Sequence, residues 1–556
     1  MQREVTCFAG EIFDVLVIGG GIYGATVAYL ASLQGLRVGL IEQQDFGHAT
    51  SANSLKIIHG GLRYLQHADI RRMRESITSR RWLFSLVPHL VQPLACLRPT
   101  YGYGVNGKPA LAVALAVNDV IAWDRNRGIR HDKHLPRGRT ISREECLRLV
   151  PGIDGRELTG AALWYDGIAT NTERIILWFI HAADKLGASV ANYVRAERYL
   201  VKQTTVSGVL ARDLQSGDLF EIRAKTVINT GGPWLDLLSK TLGQIPKIVP
   251  SRVWAKAINI MVRRSLFPGY AVGLSGRRAY SDPDGLIDTG KRDFFFVPWR
   301  GRTMIGTLYF PYHGDPEDCV ATAEELGIFI RAINVLYPSA ELDVDDICFV
   351  HAGLLAAQPN ARPTAEPTPT KQAAITGYDG LCLVNGVKFT TAYSVADRVV
   401  RLVMGKLGSA GSHSLRSQTG ISCDDGSTIV QLKQLDTDIV DHLYVQYGVD
   451  IAKVLTPLLH QDCQNGERIG PHEPTIRAEV LYAVREEMAL HLSDVVLRRT
   501  DLGTVGHPGL AILTAVASIM AKELNWTKAD VASEISAVED IYKNRQGRYI
   551  YIGCAG

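Results

Sequence analysis

Residues 13–42 read FDVLVIGGGIYGATVAYLASLQGLRVGLIE, and this stretch decides the fold. Its opening, 13–18, is a continuous apolar run of strand length rich in β-branched residues, which predicts a strand buried on both faces. The run passes straight into Gly19, Gly20 and Gly21, then into an alanine-rich segment, 25–34, predicted to be helical and stopped by Gly35. A second short run, 37–41 (RVGLI), predicts another strand ending at Glu42. Strand, glycine turn, helix and strand in this order make a β-α-β unit. Gly19, Gly21 and Gly24 occupy the three positions of G-x-G-x-x-G, and Glu42 follows Gly24 by 18 residues at the end of the second strand. The spacing is the dinucleotide fingerprint. Gly19 permits the tight turn, Gly21 lets a pyrophosphate approach backbone N–H groups at the helix start, and Gly24 lets helix and strand pack closely. Glu42 would accept hydrogen bonds from ribose hydroxyls and repel a 2′-phosphate, which disfavours NADP. The fingerprint serves NAD and FAD alike.

Outward from this unit, the chain has 556 residues, 46% hydrophobic and 21% charged, the profile of a soluble globular protein of several units with a large core. Lys+Arg 60 against Asp+Glu 57 is too even for a nucleic-acid partner, which would call for a concentrated basic face. The nine cysteines are scattered without a C-x-x-C pair, arguing against a disulfide framework, zinc ribbon or iron–sulfur cluster, and pointing to reduced thiols in the cytoplasm. His131 and His134 lie three apart with no third ligand in view, so no metal site is expected. The N-terminus lacks the apolar core of a signal peptide, and the longest apolar stretches, such as 110–117, fall far short of the ~18 residues that span a bilayer. A helical stretch at 69–90 carries Arg71, Arg72, Arg74, Arg80 and Arg81 beside Trp82, Leu83 and Phe84. It reads first as a solvated face, with a peripheral contact at the inner face of a membrane as the alternative.

Two more buried-strand signals end in glycine, 225–229 (KTVIN) before TGGPW at 230–234 and 381–385 (LCLVN) before Gly386 and a helix from about Thr391. With the first unit they predict a doubly wound α/β sheet assembled from distant segments. The middle, about 155–375, mixes short strands and turns with a helix near 171–187, as an inserted mixed β-sheet would. Residues 405–429 are Gly- and Ser-rich and read as a linker. Beyond it the periodicity is helical: about 430–446, 448–459, 476–490, 508–524 and 527–544, the last with Thr527 as N-cap and Asp530 three residues on.

Residues 50–65, TSANSLKIIHGGLRYL, carry a resemblance. Here the sequence resembles the FAD-dependent glycerol-3-phosphate dehydrogenases, quinone-linked or oxygen-linked, within the D-amino-acid-oxidase-like flavoproteins. Further matches at 230–234, at NGVKFTTAY (385–393) and at REEMALHLSDVVLRRTDLG (485–503) extend it along nearly the whole chain. The resemblance implies FAD, held within residues 1–404 by a doubly wound FAD domain interleaved with a mixed-sheet substrate part (roughly 60–160 and 240–375), and a helical C-terminal domain at 430–556. It implies cofactor contacts from Gly19, Gly21, Ile22, Tyr23, Gly24, Glu42 and Gln43, and from Thr50, Ser51, Ser54, Leu55 and Val194. Gly231, Gly232, Trp234, Gly386, Lys388, Phe389 and Thr390 complete the set, with backbone N–H groups of 386–390 facing the flavin pyrimidine edge. The hydroxyls of Thr50, Ser51 and Ser54 suit pyrophosphate and ribityl oxygens. His48 reads as an ordinary loop histidine rather than a covalent flavin link.

The same resemblance implies hydride transfer from an alcohol carbon, CH–OH with CH–NH as a variant, to flavin N5, and reoxidation by quinone or oxygen. Arg63, Tyr64 and Lys388 match family positions beside the flavin. Three departures follow. Leu355 in HAGLLAA (351–357) stands at a phosphate-gripping arginine, Gly377 at a second, and in Trp254-Ala255-Lys256-Ala257 the family histidine is missing. A bidentate cation replaced by an apolar side chain argues for a substrate other than glycerol 3-phosphate. His351 is the new titratable group and a candidate general base. Alternatives are a true glycerol-3-phosphate dehydrogenase whose phosphate contacts are relocated to Lys256, Arg252, Arg302 or Arg362, and a flavin-binding scaffold without turnover. The oligomeric state is not set by the sequence.

Overall fold

The computed structural model describes residues 1–104, 107–242, 253–275, 293–357, 374–408 and 435–545. The apolar run becomes the strand Ile12–Ile18 at the centre of the first sheet, parallel to Val38–Ile41 on one side and Leu219–Asn229 on the other. Across the sheet the order is Ala374–Tyr378, Leu381–Asn385, Leu219–Asn229, Ile12–Ile18, Val38–Ile41, Ser189–Ala191. The strand Leu219–Asn229 changes character along its length. Its first half alternates buried and exposed residues where it pairs antiparallel with Thr205–Asp213, whereas 226–229 is wholly buried between parallel neighbours. The predicted helix spans Ile22–Leu33 and packs between Thr172–Lys185 and Ala392–Lys406. Its small residues Ala25, Ala28 and Ala31 are fully buried. At Gly24 a Cβ would lie 1.8 Å from the Gly19 carbonyl oxygen, so only glycine lets this helix leave the strand at that angle.

The second sheet is mixed, in the order Ile347–Ala357, Val253–Val262, Arg302–Tyr312, Asp293–Trp299, Tyr270–Ser275, Val91–Tyr101, Leu158–Ala169, Ile57–Ile58. All its pairings are antiparallel except Tyr270–Ser275 with Val91–Tyr101. Chain segments cross between the sheets repeatedly, so the main cavity forms at their junction.

The C-terminal helices are Thr437–Tyr447, Ile451–Gln461, Arg477–Glu486, Leu510–Leu524 and Lys528–Arg545. Their apolar faces share one core with Met261, Trp299 and Phe349 of the second sheet. Thr527 and Asp530 cap the last helix reciprocally, the Asp530 N–H donating to Thr527 Oγ1 at 3.2 Å and the Thr527 N–H to Asp530 at 2.8 Å. The predicted helix 476–490 is shorter than expected. It stops at Glu486 because Met488 takes a left-handed φ of 54°, and Asp494 then accepts the N–H groups of Leu490 and His491 to start a new turn that continues as a π-helical segment, Val495–Arg499. Most of the expected linker, 409–429, lies outside the described residues.

The arginine-rich helix is Ile70–Leu86, with Asp69 as N-cap. Its cations do not form a solvated face: Arg74 and Arg81 converge on Asp124, and Arg80 is buried against Asp166.

Candidate active site

The C-terminal ends of Ile12–Ile18, Leu219–Asn229 and Leu381–Asn385 open into one cavity of about 490 Å³, within the range of small-molecule sites. Every residue predicted to contact the cofactor lines it except Gly24, which stands behind it at the helix–strand contact.

Several hydroxyls there do something other than expected. Ser51 Oγ accepts the Ile22 N–H at 3.1 Å, so it positions the helix start. Thr50 Oγ1 donates to the Leu354 carbonyl at 3.0 Å and accepts the Leu354 N–H at 3.2 Å, clamping the glycine-rich side to the substrate strand. The Ser54 hydroxyl accepts the Lys56 N–H. Tyr23 lines the cavity, yet its hydroxyl accepts the Val387 and Lys388 N–H groups at 3.2 and 3.1 Å and donates to the Lys388 carbonyl at 2.8 Å. Two of the backbone N–H groups expected to face a flavin edge are therefore held by Tyr23. These residues build the shape of the cavity from behind.

The remaining lining suits a dinucleotide. Glu42 is buried, and its two oxygens accept the Gly20 N–H at 2.6 Å and the Gln44 N–H at 2.9 Å, leaving lone pairs for ribose hydroxyls. Trp234 Nε1, Asn53 Oδ1 and His48 Nε2 are buried at the cavity with no partner among the described residues, which an extended polar cofactor would supply.

At the sheet junction the HGGLRYL run turns sharply at Gly61, whose φ is +82°, and delivers Arg63 and Tyr64 to the cavity. Lys388 comes from the third strand's loop, its Nζ hydrogen-bonded to Tyr64 Oη and 4.4 Å from the centre of that ring. Burial, then the neighbouring Arg63 charge, lowers the Lys388 pKa to about 8. His59 also lines the cavity, its ring 6.3 Å from that of Tyr64, and burial with the Lys388 charge pushes its pKa down to about 4. His59 was not among the predicted site residues although it stands in the same run. Two further residues support this loop: Asp166 accepts the Gly60 N–H and the Trp164 indole N–H while paired with buried Arg80.

To the same cavity the substrate sheet contributes Trp254, Ala257, Leu354, Leu355 and Ala356, together with the polar Asn259, Thr307 and Tyr309. Thus Leu355 and Ala257, two of the three departures, do line the cavity. Gly377 does not: it lies on the outer strand Ala374–Tyr378, where a Cβ would meet Lys406 Nζ at 3.3 Å. His351 is also misplaced by the sequence reading. It sits four residues before Leu355 on the strand Ile347–Ala357, on the order of 13 Å along it, and its ring packs on Phe349 in a separate small cavity. Burial, with the Lys56 and Arg545 charges, holds its pKa well below the ordinary histidine value. Of the relocated cations, Lys256 turns away to Glu325 at 2.8 Å and Arg302 to the Arg263 carbonyl at 3.2 Å, and neither lines the cavity. Arg252 and Arg362 lie outside the described residues. Among the described residues no group of three or more His, Cys, Asp or Glu side chains could hold a metal ion.

The chain matches the family described as FAD dependent oxidoreductase over residues 14–402, and the C-terminal domain of alpha-glycerophosphate oxidase over 386–531. It is 30% identical to a glycerol-3-phosphate dehydrogenase of Synechocystis sp., covering 94% of this chain and 95% of that one. It is 32% identical to the alpha-glycerophosphate oxidase of Lactococcus lactis over 64% of this chain and 56% of that one. In three dimensions it is similar to the glycerol-3-phosphate dehydrogenase from Bacillus halodurans complexed with FAD, with a TM-score of 0.73 and 22% identity over 98% of this chain and 97% of that one.

Proposed function

The chain belongs to the family of FAD-dependent glycerol-3-phosphate dehydrogenases and oxidases, and on that footing we propose that it oxidises an alcohol whose far end is apolar or uncharged. FAD held in the cavity supplies the two-electron acceptor. The observation that carries the reading is that one cavity is lined both by Arg63, Lys388, His59 and Tyr64 and by the apolar Trp254, Ala257, Leu354 and Leu355, with Asn259, Thr307 and Tyr309 of the same sheet beside them. Arg63 and Tyr64 orient the substrate oxygen. Lys388, with its pKa near 8, takes the hydroxyl proton, because a base works best when its pKa lies close to the working pH. Neutral His59 offers a further hydrogen bond to that oxygen. Lys56 also lines the cavity, but its Nζ is held by the Ala52 carbonyl and Thr172 Oγ1 and lies 3.5 Å from Glu173. A phosphate against the apolar side chains would give up water without charge-assisted bonds worth about 1.5–3 kcal/mol each.

The test is stopped-flow bleaching of the bound flavin by a panel of uncharged, apolar and phosphorylated alcohols. Bleaching by an unphosphorylated alcohol at lower concentration than by sn-glycerol 3-phosphate is expected. Efficient reaction with glycerol 3-phosphate at micromolar affinity would replace this reading with a true glycerol-3-phosphate dehydrogenase, and binding of FAD with no bleaching by any alcohol would leave a scaffold.

One surface favours a membrane quinone over oxygen as the final acceptor. The helix Lys108–Ile121 and the turn after it leave Val113, Val117, Val120 and Trp123 exposed by 65, 42, 75 and 73%, with Lys108, Arg127 and Arg130 flanking them. Single exposed apolar residues are ordinary, whereas a row on one helix with flanking cations fits the interface of an anionic bilayer. No described helix is long and apolar enough to cross a membrane, so the contact would be peripheral. Flotation with anionic vesicles, abolished by Val117→Glu with Val120→Glu, is the expected result; equal flotation of the double variant would refute it.

A further inference from the structure

A second cavity, of about 20 Å³, lies where the loop around 48–56, the strand Ile347–Ala357 and the C-terminal helices meet. Its charged and polar lining comes from His48, Lys56, Glu173, His351, Arg498, Thr504 and Arg545. Most of these groups are already engaged. Lys56 is bound as described above, and Arg498 faces Asp45 and Asp494. Two are not. Arg545 makes no hydrogen bond or ion pair with any described residue, its guanidinium carbon lying 5.2 Å over the Phe349 ring. His351 is only 4% exposed, and neither of its ring nitrogens has a hydrogen-bond partner among the described residues.

A cation with no hydrogen-bonded counter-charge, its nearest acid Glu173 already shared with Lys56, beside a buried histidine with two idle nitrogens is costly unless something occupies the space between them. Water would satisfy the histidine and leave the arginine with only the Glu173 carboxylate that Lys56 already holds. Room for one water needs roughly 10–15 Å³ on this measure, so the cavity takes one occupant of that size or slightly larger and excludes a four-oxygen anion such as sulfate. We propose that this junction is a binding site for one small inorganic anion of chloride's size, held by the Arg545 guanidinium and an N–H of His351. The site is separate from the alcohol-oxidising cluster and does not depend on which substrate is used. It touches the main cavity through two shared lining residues, His48 and Lys56. An anion here therefore braces the loop that borders the cofactor, and its effect is read in flavin retention rather than in turnover.

The experiment uses the full chain loaded with FAD and dialysed into sodium gluconate. Chloride or bromide replaces gluconate at constant ionic strength while the temperature of flavin release is followed, and crystals soaked in bromide are measured at the bromine absorption edge. An anomalous peak between His351 and Arg545 is expected, together with a saturable rise in release temperature of about 2–4 °C. Arg545→Gln should remove both, and His351→Asn should weaken both. If His351→Asn fails to fold, Arg545→Gln decides alone. The proposal is overturned if the cavity holds only water or a protein carboxylate with no anomalous signal, or if gluconate and chloride act equally.

Discussion

The two walls of the main cavity are built on different principles. The cofactor wall is made of strand ends, tight turns and backbone N–H groups, and its side chains are tied to nearby backbone: Ser51 to Ile22, Glu42 to Gly20 and Gln44, Tyr23 to Val387 and Lys388. The substrate wall is made of side chains standing on long antiparallel strands, Trp254 and Ala257 on one and Leu354 and Leu355 on its neighbour. Changing a residue on the first wall breaks the loop that presents it. Changing one on the second leaves the strand pairing intact and alters only what fits, so substrate choice can drift there while the cofactor site stays fixed.

If that contrast holds, the most damaging substitution lies on the cofactor side, just behind the residues that line the cavity. Asp45 is 1% exposed and is paired with both Arg498 and Arg499 of the C-terminal segment. These guanidiniums hold its carboxyl far below the usual carboxylate range despite burial. Asp45→Ala leaves two arginines without their shared counter-charge, a loss of about 3–5 kcal/mol. Thermal unfolding should show it, and so should purification as colourless protein. The pH dependence has the matching sign: a carboxylate with a depressed folded pKa contributes stability above its unfolded pKa near 4, and loses it as pH falls toward the folded value. An Asp45→Ala protein as stable and as yellow as the parent would end the contrast.

Catalysis at the junction of the walls comes next. Lys388→Met should slow substrate-driven flavin reduction by roughly 10²–10⁴-fold with little loss of FAD. In the parent the rate should rise with pH through about 8, since the unprotonated amine is the active form, and the variant should lose that rise. An unchanged pH profile would take the proton-accepting role away from Lys388. Glu42→Gln, which keeps the shape and removes the charge, should weaken FAD by about tenfold, measured by fluorescence on flavin release, without conferring turnover with NADH.

How much of this was legible in the sequence follows the same division. The β-α-β unit, the three glycine-ended strands and the helical C-terminal region are encoded in local periodicity and spacing, which survive without knowing the tertiary structure. The actual work of Thr50 and Tyr23 was not, because their partners Leu354 and Lys388 lie more than 300 residues away. His351 was misread for a geometric reason. Strand alternation puts it in phase with Leu355, but phase says nothing about distance along an eleven-residue strand, and the two residues fall into different cavities. The position of Gly377 on the outer strand Ala374–Tyr378 was not legible either, because matching by motif cannot distinguish a cavity position from an outer strand.

The smallest predicted effect is the one that tests the substrate wall directly. Leu355 lines the same cavity as Arg63 and Lys388, on a strand whose register with Ala255 does not depend on its side chain. Leu355→Arg should therefore fold. Its guanidinium would add a third cation to a site already holding two, so without an anion it costs desolvation and repulsion, and the reaction with the preferred alcohol should weaken. With sn-glycerol 3-phosphate the same cation gains a bidentate partner, and kcat/KM should rise by about tenfold, the equivalent of about 1.4 kcal/mol. The two changes must have opposite signs. If both substrates slow, the arginine has merely blocked the cavity and the wall is steric rather than selective. If the parent already oxidises glycerol 3-phosphate with micromolar affinity and Leu355→Arg adds nothing, the phosphate is gripped elsewhere, and Arg252→Ala and Arg362→Ala become the variants that should abolish it.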